Sequence, residues 1–146
     1  MSEHDFYPGF HFQVEFISVD FGANDSRFQT IGGLEVSMET ETIKEGGENR
    51  FEYILPTKTS YGTLSLKRGM MRNSDLIDWC NRTMQTLEIK PVDILITLLN
   101  EKHEPVMSWN IFHAWPKKWS VSEFNAMNNE LTIETLDLQY LYFTRG

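Results

Sequence analysis

Apolar and polar residues alternate with a period of two along most of this chain, a pattern that predicts β-strands with one buried and one solvated face. The segments that show it most clearly are 10–16, 34–41, 61–67, 92–99, 106–113 and 131–142. Residues 114–119 break the alternation and predict an irregular corner. In the last segment the apolar phase moves by one residue at Thr135-Leu136, which predicts a β-bulge or a crossing between two sheets.

One amphipathic α-helix is predicted after residue 73. Leu76, Cys80 and Met84 recur every four residues and form an apolar stripe. Asn73 or Ser74 has a side chain suited to an N-cap. Together with the strand pattern, this helix predicts a mainly β fold of two packed antiparallel sheets, as a sandwich or small barrel. The length fits a single domain over residues 1–146.

A long hairpin arm is predicted between residues 34 and 55. The apolar face of its outgoing strand, which we expect to be buried, carries Leu34, Val36 and Met38. Paired glycines at 46 and 47 permit the backbone angles of a tight turn. Pro56 ends the return strand because it has no N–H for the ladder, and residues 57–60 form a loop. An arm of this kind has little core of its own, so it folds over its own domain or reaches a neighbouring copy.

Composition and charge narrow the class of protein. The chain is 40% hydrophobic, which excludes a disordered protein. It has no apolar run of the roughly 20 residues needed to cross a bilayer, and its first residues lack the basic and then apolar pattern of an export signal. We therefore expect synthesis in the cytoplasm and no insertion in a membrane. The net charge of -8 argues against a general nucleic-acid binder, which needs a basic patch.

The sequence offers no assembled set of catalytic or metal-binding residues. The histidines at 4, 11, 103 and 113 have no ligand spacing, and Cys80 is the one cysteine. No nucleophile motif or phosphate-binding glycine loop is present. We expect no enzymatic activity, no metal and no cofactor. Because four tryptophans and ten phenylalanines could line a pocket, a monomeric β-barrel ligand-binding protein is a remote alternative.

Five segments, taken in order, resemble one known family. They are YPGFHFQVEF, GLEVSMETETIKEGGEN, LSLKRGM, VDILITLLNEKHEPVMSWNIFHAWPKKW and NNELTIETLDL. The chain is similar, from about Tyr7 to Leu138, to the tail tube proteins of contractile phages and of phage-derived, extracellular contractile injection systems. The resemblance implies a phage tail-tube-like fold and a structural function without chemistry.

The resemblance also implies an assembly. Six copies would form a ring, rings would stack into a hollow tube, and a sheath protein would surround the tube. The partners it implies are that sheath, the baseplate and tube-initiator proteins, and a cargo effector or DNA that passes through the lumen without specific binding. The finished phage tail or tail-like particle is released or anchored. A baseplate-proximal initiator or adaptor ring is the alternative within this class, and the aromatic residues of the 140–146 tail suggest contact with another component.

The resemblance also implies a function for the arm, which in such tubes reaches adjacent subunits and rings. The residues that we expect to form this inter-subunit arm are Gly46, Gly47, Glu48, Asn49, Arg50, Phe51, Tyr53 and Leu55. The glycines would form the turn, the next three residues polar contacts, and the last three an apolar anchor. The competing interpretation is a solvated hairpin, which leaves three apolar side chains exposed at about 1.5–3 kcal/mol each.

The polar phases of the second and the last strand are candidates for the wall of the bore. The residues that we expect to face the lumen are Glu35, Ser37, Glu39, Glu41, Thr132, Glu134, Asp137 and Gln139. Six copies would surround the channel with negative charge, which repels phosphates or acidic cargo near the wall and is screened beyond about 8 Å. The competing interpretation places these carboxylates on the outer wall, against basic residues of the sheath.

The glycine turn gives the first testable prediction. Replacing Gly46 and Gly47 together by valine should leave the subunit folded but impair stacking, because β-branched residues resist positive φ and the arm would be misdirected. Electron microscopy of assembled particles and circular dichroism of the subunit measure the two effects. Tubes of normal length would contradict the turn, and an unfolded variant would show that the arm is part of the subunit's own core.

Overall fold

The computed structural model describes residues 10–17, 19, 21, 27–44, 52–71, 73–123 and 132–146. These residues form ten strands and one helix. The strands are β1 (His11–Phe16), β2 (Arg27–Phe28), β3 (Thr30–Gly32), β4 (Val36–Lys44), β5 (Glu52–Tyr61), β6 (Thr63–Gly69), β7 (Val92–Leu99), β8 (Pro105–Val121), β9 (Ile133–Gln139) and β10 (Tyr142–Arg145), and the helix is α1 (Asp75–Thr86). The prediction of a mainly β fold with one helix is confirmed.

Seven of these strands follow one antiparallel path, in the order β2-β1-β7-β8-β9-β6-β3, and an eighth, β10, pairs with β8 off this path. Strand β8 belongs to two sheets, because its first part pairs with β7 and β10 and its second part with β9. The predicted corner at 114–119 is wrong, since these residues continue β8. Irregular pairing near His113, which has φ 56, and at Pro116/Lys118 lets the strand bend from one sheet into the other.

The core lies between the two sheets and under the helix. Its largest fully buried side chains are Leu64, Leu66, Leu76, Ile94, Ile96, Ile111, Leu136, Leu138, Val14 and Cys80. Tryptophans 79, 109 and 119 belong to this core or pack against it. Most of their ring surface is therefore used by the core, although Trp79 also borders a surface pocket beside Val19 and Arg82. No helix that the structure describes is both long and apolar enough to cross a bilayer.

Helix α1 begins at the N-cap that its sequence predicts, and it ends at a residue in the left-handed conformation. The Ser74 Oγ accepts a hydrogen bond from the backbone N–H of Ile77 at 3.2 Å, and this satisfies one of the free donors of the first turn. At the other end Leu87 adopts the left-handed conformation and its N–H bonds the Thr83 carbonyl at 2.9 Å. The buried face includes Leu76 and Cys80, in agreement with the predicted stripe.

Strand β9 keeps a single phase, so the predicted slip at Thr135-Leu136 is wrong. It pairs with β6 without interruption, and every second residue from Glu134 onward is buried. Glu134 is only 2% exposed and shares the core face with Leu136. The prediction that Glu134 faces the lumen is therefore wrong, because its side chain lies inside the subunit.

A polar network makes this burial possible. Arg68 lies directly opposite Glu134 on β6 and donates from Nε to its carboxylate at 2.8 Å. The other carboxylate oxygen accepts from the Trp119 indole at 3.0 Å, and an Arg68 terminal nitrogen reaches the Ser74 Oγ at 2.8 Å. The ion pair thus links β6, β8 and β9 to the N-cap of the helix. A buried charge without such partners would cost several kcal/mol.

The predicted end of the return strand is also wrong. Pro56 does not end the return strand, because β5 continues through the expected loop at 57–60 to Tyr61. The proline lies at a register shift, where Thr57 is an extra residue and its hydroxyl donates to the Glu39 carbonyl at 3.1 Å. In the 140–146 tail, β10 pairs with β8, and the contact of this tail with another component stays a prediction.

The buried ion pair gives a prediction about stability. Replacing Arg68 by methionine should lower the free energy of unfolding by about 3–5 kcal/mol, because Glu134 is left as an uncompensated buried charge. Replacing both residues, as Arg68→Met with Glu134→Leu, should recover much of the loss. Denaturant unfolding measures each variant, with the exposed neighbour Lys67→Met as the control. Equal effects at positions 67 and 68 would contradict the assigned function of the pair.

Candidate functional site

The predicted arm is present as an antiparallel pair of strands that lies apart from the main sheet. Strands β4 and β5 pair with each other and with no other described strand. Of the predicted arm residues, the structure describes Tyr53 and Leu55, which are both exposed. The other six, Gly46, Gly47, Glu48, Asn49, Arg50 and Phe51, lie outside the described residues.

Both faces of the arm carry exposed apolar side chains. Directly paired residues share a face, and the register therefore groups Ile43 with Tyr53 and Glu41 with Leu55. We call this face, with Ile43, Tyr53, Leu55 and Glu41, the tip face. The opposite face carries Val36, Met38 and Ile54. The expected burial of Val36 and Met38 is wrong within the subunit, since Met38 is 60% exposed, while Leu34 does pack against the core.

Charged pairs line the arm but hold it only weakly. Lys44 and Glu52 lie 3.6 Å apart near the outer end, and Lys58 and Glu39 lie 3.4 Å apart nearer the root. All four side chains are largely exposed, so each pair contributes at most about 1 kcal/mol. The arm's shape therefore depends on its ladder and on contacts at its root.

The arm root is fixed tightly to the main sheet. Gly33 has φ +87, and a Cβ there would overlap the Thr63 carbonyl, so only glycine fits. The Tyr140 hydroxyl donates to the Gly33 carbonyl at 2.8 Å, and the Gly62 N–H donates to the Glu35 carbonyl at 3.2 Å. Burial raises the pKa of the Tyr140 hydroxyl, and hydrogen bonds to the backbone at Glu35 and Gly62 oppose that shift.

An aromatic cluster supports the same root. The rings of Tyr61, Tyr140 and Phe143 contact one another edge to face, with centroids 5.5–6.0 Å apart. Such pairs contribute about 0.5–1.5 kcal/mol each beyond the area that they bury. Since Tyr61 ends β5 and Phe143 lies in β10, the cluster joins the arm to the last strand of the chain.

The structure separates the predicted lumen residues into two groups. Glu35, Ser37, Glu39 and Glu41 form the first group and are all exposed, with the Glu35 side chain lying over Gly62 at the arm root. The second group comprises Thr132, Asp137 and Gln139, which are half-buried at the main sheet. In that sheet Asp137 pairs with Ser65 and Gln139 with Thr63, and these four residues form a polar face opposite the core.

Two lysines that were not predicted belong to this polar face. Lys118 lies opposite Asp137 on β8, and Lys67 lies opposite Thr135 on β6. The face therefore mixes charges of both signs and is not uniformly negative. The alternation of Thr63, Ser65 and Lys67 along the sequence was a usable signal, but the pairing of β6 with β9 was needed to bring these residues beside Asp137. The described residues contain no group of three metal-binding side chains.

Comparisons with known proteins agree on one group. Residues 8–144 match the family described as T4-like virus tail tube protein gp19. A chain of the six-fold symmetrised anti-feeding prophage baseplate is 29% identical, with a TM-score of 0.77 over 100% of this chain and 97% of that chain. No curated protein matches the chain.

Two more distant structures show the same fold. A chain of the PVC sheath-tube complex, from an extracellular contractile injection system in the extended state, is 23% identical, with a TM-score of 0.73 over 100% of this chain and 98% of that chain. Hcp1 from Flavobacterium johnsoniae is 13% identical, with a TM-score of 0.61 over 93% of this chain and 94% of that chain.

The arm root gives a prediction about stability and its pH dependence. Tyr140→Phe should lower the free energy of unfolding by about 1 kcal/mol, because the Gly33 carbonyl loses its donor. Since the Tyr140 pKa is raised in the folded state, its contribution is complete below the ordinary value of 10.0 and is lost as the pH rises through the folded pKa. Denaturant unfolding from pH 8 upward should therefore show an alkaline loss that is smaller in the variant. An equal loss in Tyr140→Phe would contradict this assignment, and the exposed Tyr142→Phe is the control.

Proposed function

The chain belongs to the T4-like virus tail tube protein gp19 family, and on that basis we propose that it forms the inner tube of a contractile injection system or contractile phage tail. The resemblance seen in the sequence is confirmed, and the chain is a structural tube protein. In the proposed assembly, six subunits form a ring and the rings stack around a hollow lumen. The protein performs no chemistry and needs no cofactor.

The observation that carries this proposal is the exposed apolar surface of the arm. Ile54 is 67% exposed, and Val36, Met38, Tyr53 and Leu55 are exposed with it. An isolated two-stranded hairpin is marginally stable in water, so both of its faces need cover from outside the subunit. Burying a large side chain contributes about 1.5–3 kcal/mol. Neighbouring copies in a ring or stack are the cover that a tube supplies.

The six-fold symmetry of the baseplate that contains the 29% identical chain supports a ring of six. We assign the lumen wall to the polar face with Asp137, Gln139, Thr63 and Ser65, extended by Thr132 and by Glu35, Ser37 and Glu39 at the base of the arm. Glu41 is left out, because it lies farther along the arm, opposite Leu55. With Lys67 and Lys118 nearby, this wall is polar and mixed in charge. It has no apolar patch to retain a cargo effector or DNA.

The sheath, the baseplate and an initiator ring are the proposed partners. The PVC sheath-tube complex supports a sheath around the tube, since it contains a chain of the same fold. The likeness to a baseplate chain also favours a second candidate, a tube-initiating or adaptor ring near the baseplate. Antibody labelling along the particle separates the two functions, because a tube subunit marks the whole length and an initiator marks one end.

Assembly is the direct test of the proposed function. The purified protein should form six-membered rings or stacks, and each subunit contact should bury well over 1,000 Å², roughly the minimum for a stable interface. Replacing Tyr53 and Leu55 together by serine should reduce assembly, because the anchor loses its apolar area. Native mass spectrometry and electron microscopy measure both effects.

The control is Leu87→Asn, which removes the most exposed large apolar side chain among the described residues outside the arm, at a left-handed position that asparagine tolerates. This variant should assemble normally. A subunit that stays monomeric at high concentration, and that does not assemble with its sheath and baseplate partners, would contradict the proposed function.

A further inference from the structure

The structure places the arm root and a surface cavity at opposite ends of the subunit. Strand β6 runs from Thr63, beside the arm root, to Gly69, which lines the cavity. Strand β9 confirms this direction, since Gln139 pairs with Thr63 and Ile133 pairs with Gly69. The two ends are therefore separated by roughly 20 Å, the length of seven extended residues. The subunit thus has an arm end and a cavity end.

The cavity is open, and the part of its lining that the structure describes is largely apolar and has no carboxylate. Its volume is about 580 Å³, within the usual range for binding pockets. Phe10, Phe12 and Met71 contribute apolar surface, and Phe10 is 59% exposed although its place in the first strand pattern suggests a core residue. Arg27 is exposed at the rim, and none of the lining residues that the structure describes is Asp or Glu. In a chain of net charge -8, such a surface favours an apolar partner with an acidic group.

One side of the cavity rim is held in place by the chain itself. The His11 Nε2 and the His103 Nδ1 lie 3.1 Å apart, and both residues line the cavity. His103 has φ 61 in a turn where the Asn100 carboxamide oxygen accepts from two backbone N–H groups, each at 2.9 Å. The rim is therefore already shaped before a partner arrives, which lowers the entropy cost of binding.

The tip face of the arm has the matching chemistry. Ile43, Tyr53 and Leu55 are exposed apolar residues on one face, and Glu41 lies beside them. No ion pair of Glu41 is found among the described residues, in contrast to Glu39 and Glu52. The tip face thus combines an apolar surface with a carboxylate, which is the pattern that the cavity favours.

We propose that the tip face of one subunit docks in the cavity of a subunit in the adjoining ring, with Glu41 facing Arg27. This inference rests on the proposed tube function and adds the surface that receives the arm. Because the arm and the cavity lie at opposite ends, the contact is heterologous and does not close on itself. Each copy uses both surfaces, so the same contact repeats from ring to ring along the tube.

Cysteine cross-linking in assembled tubes tests the contact. Cys80 is 0% exposed and gives no background, so Leu55→Cys with Met71→Cys introduces the two reactive thiols. Oxidation should yield a ladder of covalent multimers that extends beyond six subunits, because each ring is linked to the next. The control pair, Leu55→Cys with Leu141→Cys, uses an exposed residue at the arm end and should give no ladder.

Several outcomes would overturn the docking. A ladder that stops at six would place the contact within a ring, and an equal ladder from the control pair would show no specificity. An intramolecular link between Tyr7→Cys and Met71→Cys in the tube would assign the cavity to the chain's own first residues. Normal tubes without any 55–71 link leave the tube function standing and refute the docking. Failure of the unmodified protein to form rings or tubes refutes the proposed function itself.

Charge exchange supplies an independent measurement. Glu41→Lys and Arg27→Glu should each raise the subunit concentration needed for stacking roughly tenfold, since six such pairs act together in every ring contact. The double variant should restore stacking, because the two charges are exchanged. Glu88→Lys, at an exposed carboxylate after the helix, is the control. Single variants that stack normally, or a double variant that is no better than the singles, would contradict the pairing of Glu41 with Arg27.

Discussion

A two-stranded hairpin can cover neither of its faces with its own residues, and in this chain both faces carry large apolar side chains. Val36, Met38 and Ile54 are exposed on one face, and Ile43, Tyr53 and Leu55 on the other. Hydrophobic burial is the largest favourable term in protein association, so this surface makes the isolated subunit an incomplete structure. Membership of the tail tube family gives the reason, because a tube subunit is completed by its neighbours.

The rest of the subunit is built to hold that arm firmly. The Tyr140 hydroxyl donates to the Gly33 carbonyl, and the aromatic cluster joins the arm root to the last strand. Behind the root, β8 runs through both sheets, and the ion pair of Arg68 with Glu134 links its second half to the helix cap. A rigid base matters in a tube of stacked subunits, because small errors in the arm's direction would grow along the stack.

The two ends of the subunit are also different. One end carries the arm, and the other carries the cavity, whose described lining is apolar and has no carboxylate, so the ends differ in shape and in charge. Contacts between unlike surfaces form rings when the rotation closes and open-ended stacks when it does not, whereas contacts between like surfaces close into pairs. The polarity that a tube needs can thus be a property of each subunit and requires no separate component.

The sequence by itself determined the class of fold, the helix and the existence of the arm. These features follow from local periodicity. Apolar and polar residues alternate along the strands, and apolar residues recur every four positions at Leu76, Cys80 and Met84 in the helix. The ordered segments also identified the family correctly. Local pattern was sufficient in each case because neighbouring residues of one element decide its type.

Only the tertiary structure decided which face a residue occupies when its partner is distant in the sequence. The charge of Glu134 predicts that its side chain faces outward, but Arg68 on another strand neutralises this charge and allows the side chain to lie in the core. Pro56 is tolerated within a strand because a register shift opposite Thr40 removes the need for its missing N–H. Lys67 and Lys118 share a face with Asp137 only because β6, β9 and β8 pair side by side. The cavity is likewise lined by residues from four separate segments. Such contacts depend on the folded chain, since no local pattern records which distant residues will become neighbours.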